Sequence, residues 1–345
     1  MAASPWPFSP PLTPMEARVR ESWPEPSGFA YEPKWDGFRA LAWSDEPRLD
    51  SRNQKPLLRY FPELTDALGS LPSGTVVDCE LVVVVGDRTK FDALQLRLHP
   101  AASRVQLLAE ETPAQLVAFD LLADAGTDLR GLPFSERRQR LVAVASKLDH
   151  PWSLSPSTED LDTAKRWFRE FEAAGCDGII AKNLESPYVE GKREMIKIKH
   201  RRSVDVVVGG YREHKDGGKI GSLLLGLYNS DGQLHFIGHC SGFSDHDRVV
   251  LLGQFEQLAV GESFGEGARV PGGDSRWSAG KDLSWTPVQP GVVVQVSYDQ
   301  LTEGRFRHAT RLERWRPDKN AEDCTMDQLA RPDGPGFGEV VRGKP

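Results

Sequence analysis

Short apolar runs rich in β-branched residues punctuate the first two hundred positions. "FRALAWS" (38–44), "TVVDCELVVVV" (75–85), "QLVAFDLLA" (115–123), "GIIAKN" (178–183) and "EMIKIKH" (194–200) have turn-forming residues nearby. That pattern predicts strands. Helical stripes lie between some of them. "FSERRQRLVAVASKL" follows Pro133, has an early acidic residue, and places Leu141, Val142 and Val144 on a stripe. "STEDLDTAKRWFREFEAAG" offers Ser157 as an N-cap, Asp160 three residues later and Gly175 as a stop. Residues 1–30 read as an extended arm.

The texture changes near His200. "VDVVVGGYR", "GSLLLGLYN", "QLHFIGHCSG", "GVVVQVSYDQ" and "FRHATRLERWR" are short strands separated by Gly and Asp turns, interrupted by the helical "SDHDRVVLLGQFEQLA". Five strands and a helix in so short a span suit a small barrel such as an OB-fold. Two domains are expected, residues 1–200 and 201–345, in agreement with a length of 345 residues.

Composition narrows the class. Hydrophobic residues make up 39% and charged residues 27%, as in a globular chain. The N-terminal "MAASPWPFSPPLTP" lacks the pattern of a signal peptide, and no apolar run approaches the ~20 residues of a membrane span, so a cytoplasmic protein is expected. Cys79, Cys176, Cys240 and Cys324 lie far apart without a C-x-x-C, which favours reduced thiols over zinc or disulfides. The net charge of −7 argues weakly against nucleic acid, but residues 192–219 concentrate nine Lys and Arg against four acids. By itself such a run reads equally as a solvated strand and loop.

Residues 31–40, "YEPKWDGFRA", hold Lys34, Asp36, Gly37 and Arg39 close together. Alone, K-x-D-G is too short to separate a nucleophile from a surface lysine. The run Lys34 to Arg39 nevertheless resembles the nucleophile motif of the covalent nucleotidyltransferases: DNA ligases, RNA ligases and capping enzymes. Five further segments resemble that family's motifs in order: Ser51-Arg52-Asn53, Asp78-Cys79-Glu80-Leu81, Phe119-Asp120-Leu121-Leu122, Asp177 to Lys182, and Lys197-Ile198-Lys199. Arg314 to Lys319 is similar to the C-terminal R-x-D-K motif. Cys79 stands where Gly is usual, Asp177 where Glu is commoner, and Met195 where Trp is often found. The whole is most similar to the ATP-dependent DNA ligases of the bacterial ligase C and ligase D kinds.

The resemblance implies an α+β nucleotidyltransferase (adenylation) domain with antiparallel sheets and flanking helices, followed by an OB-fold. It implies an enzyme that seals 5′-phosphate/3′-hydroxyl nicks in duplex DNA through a lysyl-AMP on Lys34 and then a DNA-adenylate. ATP and Mg²⁺, with Mn²⁺ as a substitute, are the expected cofactors. Glu32 would read the adenine amino group, Phe119 would stack on the base, and Arg39 and Arg52 would meet ribose, nucleotide or nick phosphate. Lys197 and Lys199, alternate residues of one strand, would line the phosphate site and depress the pKa of Lys34. Asp177 would hold metal, and Glu80 metal or ribose. Arg316 and Lys319 would reach the pyrophosphate when the second domain closes about a hinge at 198–204. Arg201, Arg202 and Lys215 are the candidate DNA contacts. Arg137 and Arg138 read as a solvated helix face that could also meet nucleotide, and His99, His239 and His308 as ordinary polar residues. A nucleoid-associated monomer that acts in DNA repair, recombination or replication, with repair proteins as partners, completes the expectation. An RNA ligase, a GTP-using capping enzyme and an inactive OB-fold module are the alternatives.

Overall fold

The computed structural model describes residues 4–25, 27–265, 271, 284–302, 304–330 and 332–343. The chain divides into one unit of residues 1–200 with 331–345, and a second of residues 201–330. The boundary near His200 falls at the change of texture. The tail was expected with the second domain and instead belongs to the first unit, because the helix Phe337–Arg342 buries Phe337 and Val340 among that unit's apolar side chains.

The first unit holds two sheets. One has four strands in the order Ala17–Val19, Met195–Lys199, Gly178–Asn183 and Phe29–Pro33. Its Tyr31, Ile179, Ala181, Ile196 and Ile198 form one buried face. The other sheet is built on Val76–Val85, flanked by Phe38–Trp43 and Ala114–Asp124. Its apolar residues pack against the helix Phe134–Ala145 through Leu141 and Val144. The N-terminal arm is part of the core: Trp6, Leu12 and Met15 are buried beside Trp43 and Tyr188.

The helix expected after Ser157 spans Leu161–Glu170, and its N-cap is Asp160, whose carboxylate accepts the Thr163 N–H at 2.7 Å. The helix starts three residues later than a Ser157 cap requires, so Asp160, next to its first turn, takes that role. Arg137 is fully buried, not solvated: it forks onto Asp120 at 2.9 and 3.1 Å and donates to the carbonyls of Leu132 and Ser186.

The second unit is an antiparallel sheet ordered Leu234–Cys240, Ile220–Tyr228, Arg202–Glu213, Val293–Tyr298, Arg311–Trp315. A parallel bridge between Cys240 and Thr310 brings the two outer strands together, which curls the sheet toward closure. The helix Asp245–Glu256 lies along the chain between the strands Leu234–Cys240 and Val293–Tyr298 and is capped by Ser244. This is the OB-fold connectivity expected from the strand spacing. All four cysteines are free and buried, and no described helix is long and apolar enough to cross a membrane.

Candidate active site

Lys34 sits on the link between the two sheets, one residue past the strand Phe29–Pro33 and four before Phe38–Trp43. Reciprocal backbone bonds tie it to the neighbouring strand. Its N–H donates to the Gly178 carbonyl at 2.9 Å, and its carbonyl accepts the Asp177 N–H at 2.9 Å. These bonds set the two side chains opposite each other, and the Lys34 ammonium lies 2.7 and 2.9 Å from the two Asp177 carboxylate oxygens. Lys199 approaches the same carboxylate at 3.8 Å.

Two glycines make this possible. A Cβ on Gly178 would lie 2.0 Å from the Ile198 carbonyl oxygen, and one on Gly37 2.3 Å from the Leu81 carbonyl oxygen. Gly178 therefore lets the Asp177 strand press against the strand of the paired lysines. Gly37 lets the nucleophile link pass over the strand that carries Glu80. This is the physical content of the glycine in both motifs.

Register places the remaining lysines. Glu32 and Lys197 both pair with Ile180, and Lys199 pairs with Gly178, so these residues share one face of the four-stranded sheet. Glu32 is buried. One of its carboxylate oxygens lies 2.8 Å from Lys182, two positions along the adjacent strand, and the other 3.6 Å from Arg138. Lys182 also donates to the Phe119 carbonyl at 2.7 Å and lies 4.7 Å from the centre of that ring.

Phe119 occupies a β-bulge. Asp78 pairs with Asp120 while Cys79 pairs with Ala118, which leaves Phe119 as the extra residue. Strict alternation would put Val117, Phe119 and Leu121 on one face. The bulge instead sends Ala118 and Leu121 into one apolar cluster and Val117 into another. The Phe119 ring faces Arg39, whose guanidinium carbon is 4.6 Å from the ring centre. Arg39 itself is locked by the buried Asp78, which accepts two hydrogen bonds at 2.5 Å and a third from the Tyr188 hydroxyl at 2.6 Å. The Met15 carbonyl accepts a further bond from Arg39 at 3.1 Å.

The electrostatics differ from expectation at Lys34. Burial opposes its charge, but the carboxylates of Asp177, Glu80 and Asp36 outweigh burial and hold the ammonium above the ordinary lysine value. The paired lysines were expected to depress it. Lys197 is depressed instead, through burial and the nearby charges of Lys34, Lys199 and Arg52, and Lys182 is lowered by burial. Lys34 escapes because its nearest charge is an acid. Burial, aided by Asp36 and Asp177 and partly offset by Lys34 and Arg39, pushes the Glu80 carboxyl up to about 8.

Arg52 is exposed, and its N–H donates to the Arg39 carbonyl at 3.1 Å. Arg316 belongs to the second unit, where it forks onto Asp205 at 2.8 Å and onto Asp318 at 2.9 Å. These bonds to Arg316 lower Asp318 to about 2. Lys319 lies in the turn that follows, its N–H on the Arg316 carbonyl at 3.2 Å. Arg201 and Arg202 stand at the start of the strand Arg202–Glu213, and the exposed Lys215 lies in the turn beyond its far end. At ~3.3 Å per residue the two ends are on the order of 30–40 Å apart, so the basic run is not one compact patch.

Sequence reasoning gave no role to Lys182, Asp78 or Tyr188, although the first two stand inside quoted motifs. Lys182 and Asp78 are buried partners of Glu32 and Arg39, and Tyr188 in turn holds Asp78. Such pairs are read from register, which the motif spacing alone does not supply.

The comparisons agree with this architecture. The family model for the ATP dependent DNA ligase domain matches residues 13–199, and that for the ATP dependent DNA ligase C terminal region matches residues 216–319. DNA ligase C2 of Mycolicibacterium smegmatis is 47% identical over 342 residues, covering 94% of this chain and 96% of that protein. DNA ligase C of Mycobacterium tuberculosis is 45% identical over 357 residues, covering 98% and 99%. A solved structure from a structure–function study of Lig E DNA ligases shares the fold, with a TM-score of 0.56 at 16% identity, covering 88% of this chain and 99% of that one. A family model over more than half of the residues, and relatives this similar over almost their full lengths, show that the chain belongs to the ATP-dependent DNA ligases.

Proposed function

We propose that Lys34 carries the adenylyl group of this ATP-dependent DNA ligase between ATP and a nicked duplex. The observation that carries the reading is the Lys34 ammonium held on Asp177, with Lys199 on the same carboxylate. The Lys34 nitrogen forms a bond to the α-phosphorus, the bond from that phosphorus to the bridging oxygen breaks, and pyrophosphate leaves. The amine must first lose its proton. Asp177 holds that proton in place, and burial works against it. When the carboxylate is drawn to another cation, burial prevails and the free amine is favoured.

Asp177 and Glu80 would hold Mg²⁺. Two carboxylates fit a hard cation that keeps several waters, and Glu80, raised chiefly by burial, is near enough to Asp177 to feel its charge. When bound, the ion supplies charge neutralisation at phosphate oxygens. Lys197 and Lys199 add positive charge on the same face, and Arg52 is close enough to act on Lys197. Phe119 offers its ring to adenine. Glu32, fixed by Lys182, offers a carboxylate to the adenine amino group, a group guanine lacks at that position. Arg39 is a rigid support, its fork already committed to Asp78, so ribose would meet it edge-on. The adenylyl group then passes to the 5′-phosphate, and the 3′-hydroxyl displaces AMP.

Arg316 and Lys319 would serve the pyrophosphate with the second unit closed, and Arg201, Arg202 and Lys215 would grip DNA phosphates at two separate places. A sealing assay on nicked duplexes tests the reading. Sealing is expected with ATP and a DNA 5′-phosphate strand. Sealing driven by GTP alone, or confined to RNA strands, would replace it with one of the related nucleotidyltransferases.

A further inference from the structure

The tail after the second unit ends in a short helix whose buried side reaches the residue next to the nucleophile. Phe337 meets Trp35 edge to face, with ring centres 5.4 Å apart and planes at 67°. Trp35 is buried in a pocket of Val82, Val117, Phe171, Ala174 and Cys176 that Phe337 and Val340 complete. Its indole N–H donates to the Ser155 hydroxyl at 3.0 Å. The segment from Lys34 to Gly37 lies between two strands and belongs to neither sheet, so Trp35 is its buried anchor.

The tail is seated closely. The Phe337 N–H donates to the Asp87 carbonyl at 2.7 Å, and the Gly336 N–H to the Glu339 carboxylate at 2.9 Å. A Cβ on Gly336 would lie 1.7 Å from an Asp87 carboxylate oxygen, and one on Gly334 2.5 Å from the Glu170 carbonyl oxygen. Gly334 lets the two backbones approach that near, whereas the exposed Asp87 side chain beside Gly336 is free to turn.

We propose that residues 332–343 are a positioning element of the adenylyl-transfer centre: Phe337 closes the seat of Trp35 and so holds Lys34 in line with Asp177. Phe337 touches no reacting atom and acts through Trp35. Backbone bonds to Gly178 and Asp177 hold Lys34 on one side, and the buried Trp35 anchors the irregular link on the other; a displacement of about 1 Å at a reacting atom can cost about a hundredfold in rate. The proposal rests on Lys34 as nucleophile.

Three full-length variants test it: Phe337→Ala, the conservative Phe337→Leu, and Gly334→Ala, which drives a Cβ into the Glu170 backbone carbonyl. Two reactions are timed: lysyl-AMP formation over a range of ATP concentrations, and sealing of a nick already carrying a 5′-adenylate. Phe337→Ala and Gly334→Ala should slow lysyl-AMP formation at saturating ATP about 10- to 100-fold. The KM for ATP and the sealing of the adenylated nick should stay near the parent values, and Phe337→Leu should recover most of the rate. Unchanged lysyl-AMP formation in both Phe337→Ala and Gly334→Ala overturns the proposal, as does an equal loss of both reactions, which marks a purely structural tail. An AMP adduct on Lys34→Ala would instead remove the nucleophile assignment. An adduct-free Lys34→Ala beside a full-rate Phe337→Ala removes the tail's part alone.

Discussion

Lys34 is pulled two ways, and the balance sets how the site responds to pH. Burial disfavours its charge, while Asp177, Glu80 and Asp36 favour it and prevail. The amine therefore holds its proton above the ordinary lysine value, and lysyl-AMP formation should keep rising with pH beyond about 8. A rate already flat from about pH 6.5 would show an amine free before ATP arrives. Glu80 gives a separate signature in stability. Its carboxyl titrates at about 8 in the fold, against about 4.3 in an unfolded chain. A group raised in this way contributes stability that is complete below the unfolded value and is lost as pH rises through the folded one. The melting temperature of the parent should fall between about pH 5 and 9, and in Glu80→Gln that fall should be smaller, because the amide has no proton to lose. Melting curves that decline in parallel would place the Glu80 carboxyl near its ordinary value.

The site depends on how closely two strands approach, and Gly178 is where that approach is tightest. Its φ of +152° and the 2.0 Å from a Cβ to the Ile198 carbonyl oxygen leave no room for a side chain. Gly178→Ala should destabilise the protein by about 2 kcal/mol or more and should slow adenylylation by pushing Lys197 and Lys199 away from Asp177. A variant that melts with the parent and labels at its rate would mean the strand shifts at no cost. Much of this arrangement was legible in the sequence. The strands through Lys197 and Glu80 follow from their β-branched runs, and the period of two puts Lys197 and Lys199 on one face. The bulge at Phe119 was not legible, since an extra residue leaves the hydrophobic pattern almost intact. Nor was the pairing of Arg39 with Asp78, because register between distant strands is set by packing and by Gly37. The tail helix went unread because six residues bordered by glycines carry too little periodicity to announce one.

Across the whole molecule, the groups assigned to ATP are divided between two units. Lys34, Glu80, Asp177 and Lys199 belong to the first, and Arg316 and Lys319 to the second. If the second pair serves the pyrophosphate, it acts in the first chemical step and not in the last. Arg316→Ala should then form lysyl-AMP slowly yet seal a pre-adenylated nick at close to the parent rate. The fork from Arg316 to Asp205 complicates this, because its loss leaves Asp205 without that partner within its own unit. Lys319→Ala, which breaks no such fork among the described residues, is the cleaner companion and should show the same split. Equal loss in both reactions would make the pair part of folding or DNA binding. The central claim is that one lysine receives the adenylyl group and hands it on. The most direct measurement loads the protein with ATP labelled at the α-phosphate, removes the free nucleotide, maps the adduct by mass spectrometry, and then adds nicked DNA. The account predicts about one AMP per chain, located on Lys34, that moves to the DNA 5′-end and leaves as AMP when the nick closes. An adduct on another residue, or a Lys34 adduct that nicked DNA does not discharge, would contradict it.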